Sequence, residues 1–156
     1  MQEKELLKKL GEETLYSAKG HFKACDIRRK LITSTIWICA ALNVIGLIGI
    51  NSSIDKWLSA VGLFGLIALL IWNEGEEKNY KARHKQAAET YLSLHKEIRS
   101  HYYLNELSKQ EIEKLNHRVI QFDQSEKPEI PGLARCLAKR AIEKKGETDN
   151  WFLENI

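Results

Sequence analysis

The sequence has little proline, little cysteine and no strong excess of either charge. Pro128 and Pro131 are the only prolines in 156 residues, and both fall in one short stretch. Proline is the strongest breaker of helices, so the rest of the chain is free to be helical. The three cysteines, Cys25, Cys39 and Cys136, are scattered and form no CxxC pair. That excludes a disulfide framework and a cysteine-rich zinc site, and it fits a reducing environment. The net charge of +3 is small, and its basic residues cluster beside apolar runs. They read as topology determinants and headgroup contacts, and no nucleic-acid polymer is expected as a partner. The sequence lacks a glycine-rich phosphate loop, a nucleophile elbow and a triad-like pattern. His21 and Cys25 are four apart but have no third or fourth ligand nearby, and His84, His95, His101 and His117 form no metal spacing. The expectation is a chain that is not an enzyme and needs no metal.

What the sequence does contain is apolar surface concentrated in residues 31–72. The run LITSTIWICAALNVIGLIGI, residues 31–50, carries no charge. At ~1.5 Å of rise per residue it spans roughly 30 Å, the hydrocarbon thickness of a bilayer. The run WLSAVGLFGLIALLIW, residues 57–72, is short for a span. Ile54 and a snorkelling Lys56 extend it, or the bilayer thins to meet it. Residues 51–56 read as a loop able to join only antiparallel neighbours, which predicts a transmembrane helical hairpin. Lys19, Lys23, Arg28, Arg29 and Lys30 precede the first run, and Lys78, Lys81, Arg83 and Lys85 follow the second. The loop has only Lys56, offset by Asp55, so the positive-inside rule predicts cytoplasmic termini. The polar residues 1–30 argue against a signal peptide.

The expected fold class is an all-α membrane protein. A two-span hairpin continues into long cytoplasmic helices, followed by one or two further C-terminal helices. Residues 1–30 read as an amphipathic helix whose apolar stripe is Leu15, Ala18, Phe22 and Cys25, with Gly11 as a candidate break after Leu6, Leu7 and Leu10. Residues 73–123 read as coiled-coil-like helices. Within them Tyr80, His84, Ala87, Tyr91, Leu94 and Ile98 recur at 4-3-4-3-4 spacing, a candidate oligomer seam. The spacing leaves open whether that seam packs within one subunit or between subunits. His84 is its polar register residue. After a break at residues 101–107, Ser108 and Glu111 form a capping-box pattern ahead of Ile112, Leu115, Val119 and Phe122. Residues 124–156 hold the loop QSEKPEIPG, then a helix opened by Pro131 with Leu133, Leu137, Ala138, Ala141 and Ile142 as its apolar face. Lys144, Lys145 and Gly146 are its end signals. In the tail, Trp151, Phe152 and Ile156 suggest docking on the chain's own bundle or on a partner.

Two constellations are candidates for function. Thr35, Cys39, Asn43 and Gly46 share one face of the first span at 4-4-3 spacing. That face either lines a pore made by several hairpins or supplies an interhelical hydrogen bond with close packing, Gly46 and Gly49 lying opposite Gly62 and Gly65. At the base of the hairpin, Arg28, Arg29 and Lys30 come level with Glu74, Glu76 and Glu77. They form either a charged mouth that selects ions or a set of interfacial salt bridges, each contributing about 0–1 kcal/mol.

Two stretches also carry a family resemblance. NEGEEKNYKARHKQAAETYLSLHKEI has an acid-glycine start, a central Arg-His and an Ala-Ala-x-x-Tyr-x-x-Leu-x-x-Glu-Ile run, and KPEIPGLARCLAKRAI is a proline loop followed by an alanine-rich helix. In this order, after a basic amphipathic helix and a tight hairpin, they resemble the SLATT-domain family, over about residues 12–145. The resemblance implies an oligomeric pore-forming or membrane-disrupting effector of a bacterial anti-phage system, in the inner membrane. It implies membrane lipids and further copies of the chain as partners, and a cyclic oligonucleotide or a sensor protein as trigger, with cell death or growth arrest as outcome. The family has no catalytic residues to carry over. Because no sensor domain is appended, sensing is expected in the cytoplasmic helices, in a partner or in a nucleotide held between subunits. The rival expectation is a non-conducting helical scaffold that holds a soluble partner at the inner membrane.

Overall fold

The computed structural model of the protein describes residues 2–48, 52–72, 75, 77–104, 108–143 and 151–153. They form α1 (Gln2–Ile48), α2 (Ser52–Trp72), α3 (Lys78–Leu104), α4 (Lys109–Asp123), α5 (Gly132–Glu143) and a 3-10 turn at Trp151–Leu153. No strand occurs among the described residues, and the chain is an all-α membrane protein.

Two expectations about the helix ends are corrected. Helix α1 is unbroken at Gly11. A mid-helix glycine costs about 1 kcal/mol relative to alanine, but here the missing Cβ makes room for a partner: an added Cβ would lie 2.5 Å from a ring carbon of Trp151. Residues 51–56 are not all loop, because α2 begins at Ser52 and has 21 residues. Asp55 lies in its first turn, where the helix dipole favours a carboxylate. With that turn added, the second span reaches the ~20 residues a bilayer needs.

The chain divides into two compact units, residues 1–24 with 83–156, and residues 25–82. In the first, the start of α1 packs with α3, α4, α5 and the 3-10 turn around Leu10, Leu15, Leu94, Ile98, Leu115 and Trp151. The buried face of α1 keeps Leu15 and Ala18 of the expected stripe but extends beyond it. Phe22 is only half-buried, while Thr14 and His21 are fully covered. Thr14 is tolerated there because its hydroxyl donates to the carbonyl of Leu10 at 2.8 Å.

On α3, His84, Ala87, Tyr91, Leu94 and Ile98 are buried by the chain's own helices, with Ala88 and His95 beside them. That stretch of the seam is therefore filled within one chain and is not left open for a second copy. Tyr80, in the other unit, is half-buried. Helix α4 starts as its capping pattern predicts, with the Glu111 carboxylate accepting from the Ser108 backbone N–H at 2.8 Å and its hydroxyl at 2.9 Å.

The Pro131 carbonyl accepts from the Arg135 N–H at 3.1 Å and opens α5. This helix buries Ala134, Ala138, Ala141 and Ile142 and leaves Leu133 and Leu137 exposed, contrary to expectation. Small alanines let the helix approach closely, so the leucines turn outward. Lys144, Lys145, Gly146 and Ile156 lie outside the described residues. Trp151 and Phe152 dock on the chain's own bundle, which removes them as a surface for a partner. The Trp151 indole N–H donates to His95 Nε2 at 3.4 Å, and His95 Nδ1 donates to the Gly11 carbonyl at 2.8 Å. An indole only donates and a carbonyl only accepts, so His95 is the neutral Nδ1–H tautomer.

Candidate functional site

Within residues 25–82 the polar face of the first span is turned against the second. Asn43 Nδ2 donates to the Cys39 carbonyl at 3.0 Å, and its Oδ1 accepts from the Ser59 hydroxyl at 3.4 Å. Gly62 and Gly65 face this side. A Cβ on Gly62 would lie 2.5 Å from Asn43 Nδ2 and 2.7 Å from the Cys39 carbonyl, and one on Gly65 would lie 2.8 Å from the Cys39 sulfur. Gly46 meets the start of α2, where a Cβ would come within 2.5 Å of the Asp55 carbonyl. Of the four predicted residues, Cys39, Asn43 and Gly46 thus join one interhelical contact. Thr35 is exposed and donates to the Leu31 carbonyl at 2.9 Å. Gly49 lies outside the described residues. Trp37, Leu47, Trp57, Phe64 and Leu70 point away from this contact into the surroundings. In Gly62→Ala a methyl must force apart two backbones, which is expected to cost the hairpin roughly 1–3 kcal/mol. Alkylation of the buried Cys39 should speed up accordingly, and an unchanged rate would mean the two spans are not in this contact.

At the base of the hairpin, Arg28 Nε donates to Glu77 at 2.8 Å, and Lys81 Nζ lies 3.4 Å from the other carboxylate oxygen. Glu77 is only 1% exposed. The Arg28 guanidinium lies 5.1 Å from the Trp72 ring and 5.3 Å from that of Tyr80. Of the predicted charged mouth, Arg28 and Glu77 meet, Arg29 and Lys30 are exposed, and Glu74 and Glu76 lie outside the described residues.

Residues 1–24 and 83–156 form a half-open cavity of about 510 Å³ lined by Tyr16, His21, Tyr91, Asp123, Lys127, Glu129 and Arg135, among others. Its wall is a chain of polar contacts. His21 and His84 bring their Nδ1 atoms to 2.9 Å, so one ring donates and the other accepts. Tyr91 stacks on His21 at 5.8 Å and donates its hydroxyl to the Asp123 carboxylate. The Lys127 ammonium donates both to the Tyr91 hydroxyl and, at 2.8 Å, to Asp123. Burial and the Asp123 carboxylate push the Tyr91 phenol above its ordinary value. Burial, with His84 and Lys127 nearby, pulls His21 down to about 4. His21 Nε2 has no hydrogen-bond partner among the described residues. The heptad spacing marks His84 and Tyr91 as seam residues and gives no sign of the cavity. The histidine partners are 63 positions apart, and no spacing rule reaches that far. The only local signal was Asp123 and Lys127 at i, i+4. In the lining the cations Lys127 and Arg135 are matched by the carboxylates Asp123 and Glu129, and with the ring faces of Tyr16 and Tyr91 they suit a polar, ring-bearing small molecule.

Two apolar spans whose polar groups face each other, joined to a cavity-bearing helical unit, define a two-span helical membrane protein. Residues 1–128 match the model of the SMODS and SLOG-associating 2TM effector domain 6, and the chain belongs to that SLATT family. It is a family of two-transmembrane effector domains of anti-phage systems and not a known enzyme class. No curated protein and no solved structure matches the chain.

Proposed function

We propose that the protein is an oligomeric effector that opens a pore in, or otherwise breaches, the bacterial inner membrane. Both termini are cytoplasmic, and the trigger is a cyclic oligonucleotide or a sensor protein acting on the unit formed by residues 1–24 and 83–156. The carrying observation is the hairpin's outward surface. Cys39, Asn43 and Ser59 spend their polarity on one another, and the remaining faces present Trp37, Phe64 and Leu70. A single hairpin offers water no path, so a breach needs several copies or a distorted bilayer. The cavity supports the ligand limb. Its volume falls within the range of small-molecule sites, Arg135 complements a phosphate, and Tyr16 and Tyr91 offer ring faces.

The test is dye leakage from liposomes holding the full chain, against a panel of cyclic oligonucleotides. One nucleotide is expected to trigger leakage, and Arg135→Glu is expected to raise its half-maximal concentration about tenfold or more. Leakage with no ligand would mean that a partner protein normally restrains the pore. No leakage from inserted, oligomeric protein would favour the non-conducting scaffold, for which Tyr103, Leu104, Ile120, Leu133 and Leu137 are exposed apolar residues outside the spans.

A further inference from the structure

We infer that the base of the hairpin holds one anionic phospholipid, its phosphate on Arg28 and Lys81 and its acyl chain in the groove beside them. The groove has a volume of about 220 Å³ and lies between α1 and α2, walled by Leu31, Ile32, Thr35, Leu69 and Trp72, with Arg28 and its partner Glu77 at one end. Its apolar walls suit a hydrocarbon tail, and its charged end lies where the uncharged run of α1 gives way to basic residues. That is headgroup depth, and basic pockets between spans take anionic lipid headgroups.

The charge balance selects the sign of the occupant. Arg28, Lys81 and Glu77 together carry one net positive charge. The carboxylate is sealed away at 1% exposure, while Arg28 and Lys81 are 33% and 38% exposed. The accessible charge is therefore cationic. Arg28 uses Nε for Glu77, and among the described residues its Nη groups have no hydrogen-bond acceptor. The rings of Trp72 and Tyr80 lie 5.1 and 5.3 Å from the guanidinium and help to fix it, with its Nη groups free to take a phosphate. This inference does not depend on whether the protein conducts.

The test uses the full chain in bilayers with brominated acyl chains, which quench tryptophan on contact. The signal of Trp72 is the difference between the unaltered protein and Trp72→Phe. Brominated phosphatidylglycerol is expected to quench it at about one-fifth the mole fraction that brominated phosphatidylcholine requires, the ratio one net basic charge supplies. Lys81→Gln, which cancels the net charge, should erase the preference. Leu69→Phe, which fills the groove and changes no charge, should erase it too. Equal quenching by the two lipids in the unaltered protein would overturn the proposal. So would a preference that survives both substitutions, since diffuse attraction by Arg29 and Lys30 would then explain it. Millimolar inorganic phosphate should leave the preference intact, and loss of the preference in phosphate would reduce the site to a free-anion site and overturn the lipid assignment.

Discussion

Trp151→Ala is expected to destabilise the unit formed by residues 1–24 and 83–156 by about 3–5 kcal/mol, a fall in Tm of roughly 15 °C or more. The indole is completely buried, with ring centroids of Tyr102, His95 and Phe152 at 4.6, 5.9 and 5.9 Å. Truncation removes that packing and also leaves His95 Nε2 without its donor. The contact has a second handle. Gly11 is the floor on which the ring rests, so Gly11→Ala alone drives a methyl into the indole. Once the ring is gone, the atoms that clash with this methyl are gone with it. The double variant should therefore cost clearly less than the two single changes added together. Thermal unfolding of the four proteins measures this. Strict additivity would mean that Trp151 does not rest on Gly11.

The Gly11–Trp151 contact shows why part of this molecule was legible in its sequence and part was not. The hairpin was legible because a bilayer imposes one demand, an uncharged helical run of sufficient length, and residues 31–50 meet it without reference to any other part of the chain. The Ser108–Glu111 cap and the stripe through Tyr91 and Ile98 are equally local. Gly11 read as a break because helix propensity sees only the missing side chain. The compensating partner, Trp151, lies at the other end of the chain. His95 reaches the Gly11 carbonyl across 84 positions, and His21 meets His84 across 63. Leu133 and Leu137 misled for a different reason. Hydrophobicity predicts burial of the larger side chain, but close helix approach at Ala134, Ala138 and Ala141 selects the smaller one. The candidate ligand cavity belongs to the same class, because it is bounded by α1, α3, the 124–131 loop and α5, and no motif within any one of them marks a cavity.

Acidification is expected to loosen the same unit between about pH 6.5 and pH 4. Buried in the contact of α1 with α3, the neutral His21–His84 pair shares one hydrogen bond between its Nδ1 atoms. Single protonation keeps that bond but buries a charge, and double protonation sets two N–H groups against each other. The groups around the pair add to the resistance. Lys127 lies near His21 and Arg83 near His84, both cationic, while Asp123 is already engaged by Tyr91 and Lys127. Burial is the leading cause for both rings. It holds His21 at about 4, below its ordinary 6.5, and lowers His84 in the same direction. Well above pH 6.5 both rings are neutral, folded or unfolded, and little is lost. As the pH falls below 6.5 the unfolded chain takes up protons that the folded chain refuses, and stability declines. For His21 the loss grows to on the order of 3 kcal/mol and levels off below about pH 4, where the folded ring also protonates. Hydrogen exchange of the α1 and α3 amides at pH 7.5, 6.5 and 5.5 reads this opening after correction for the intrinsic pH dependence of exchange. Protection should fall clearly more between the last two values than between the first two. In His21→Leu the neutral side chain cannot titrate, so the fall between pH 6.5 and 5.5 should shrink to less than half. A fall of undiminished size in that variant would assign the acid sensitivity to carboxylates instead, and the histidine pair would then be packing alone.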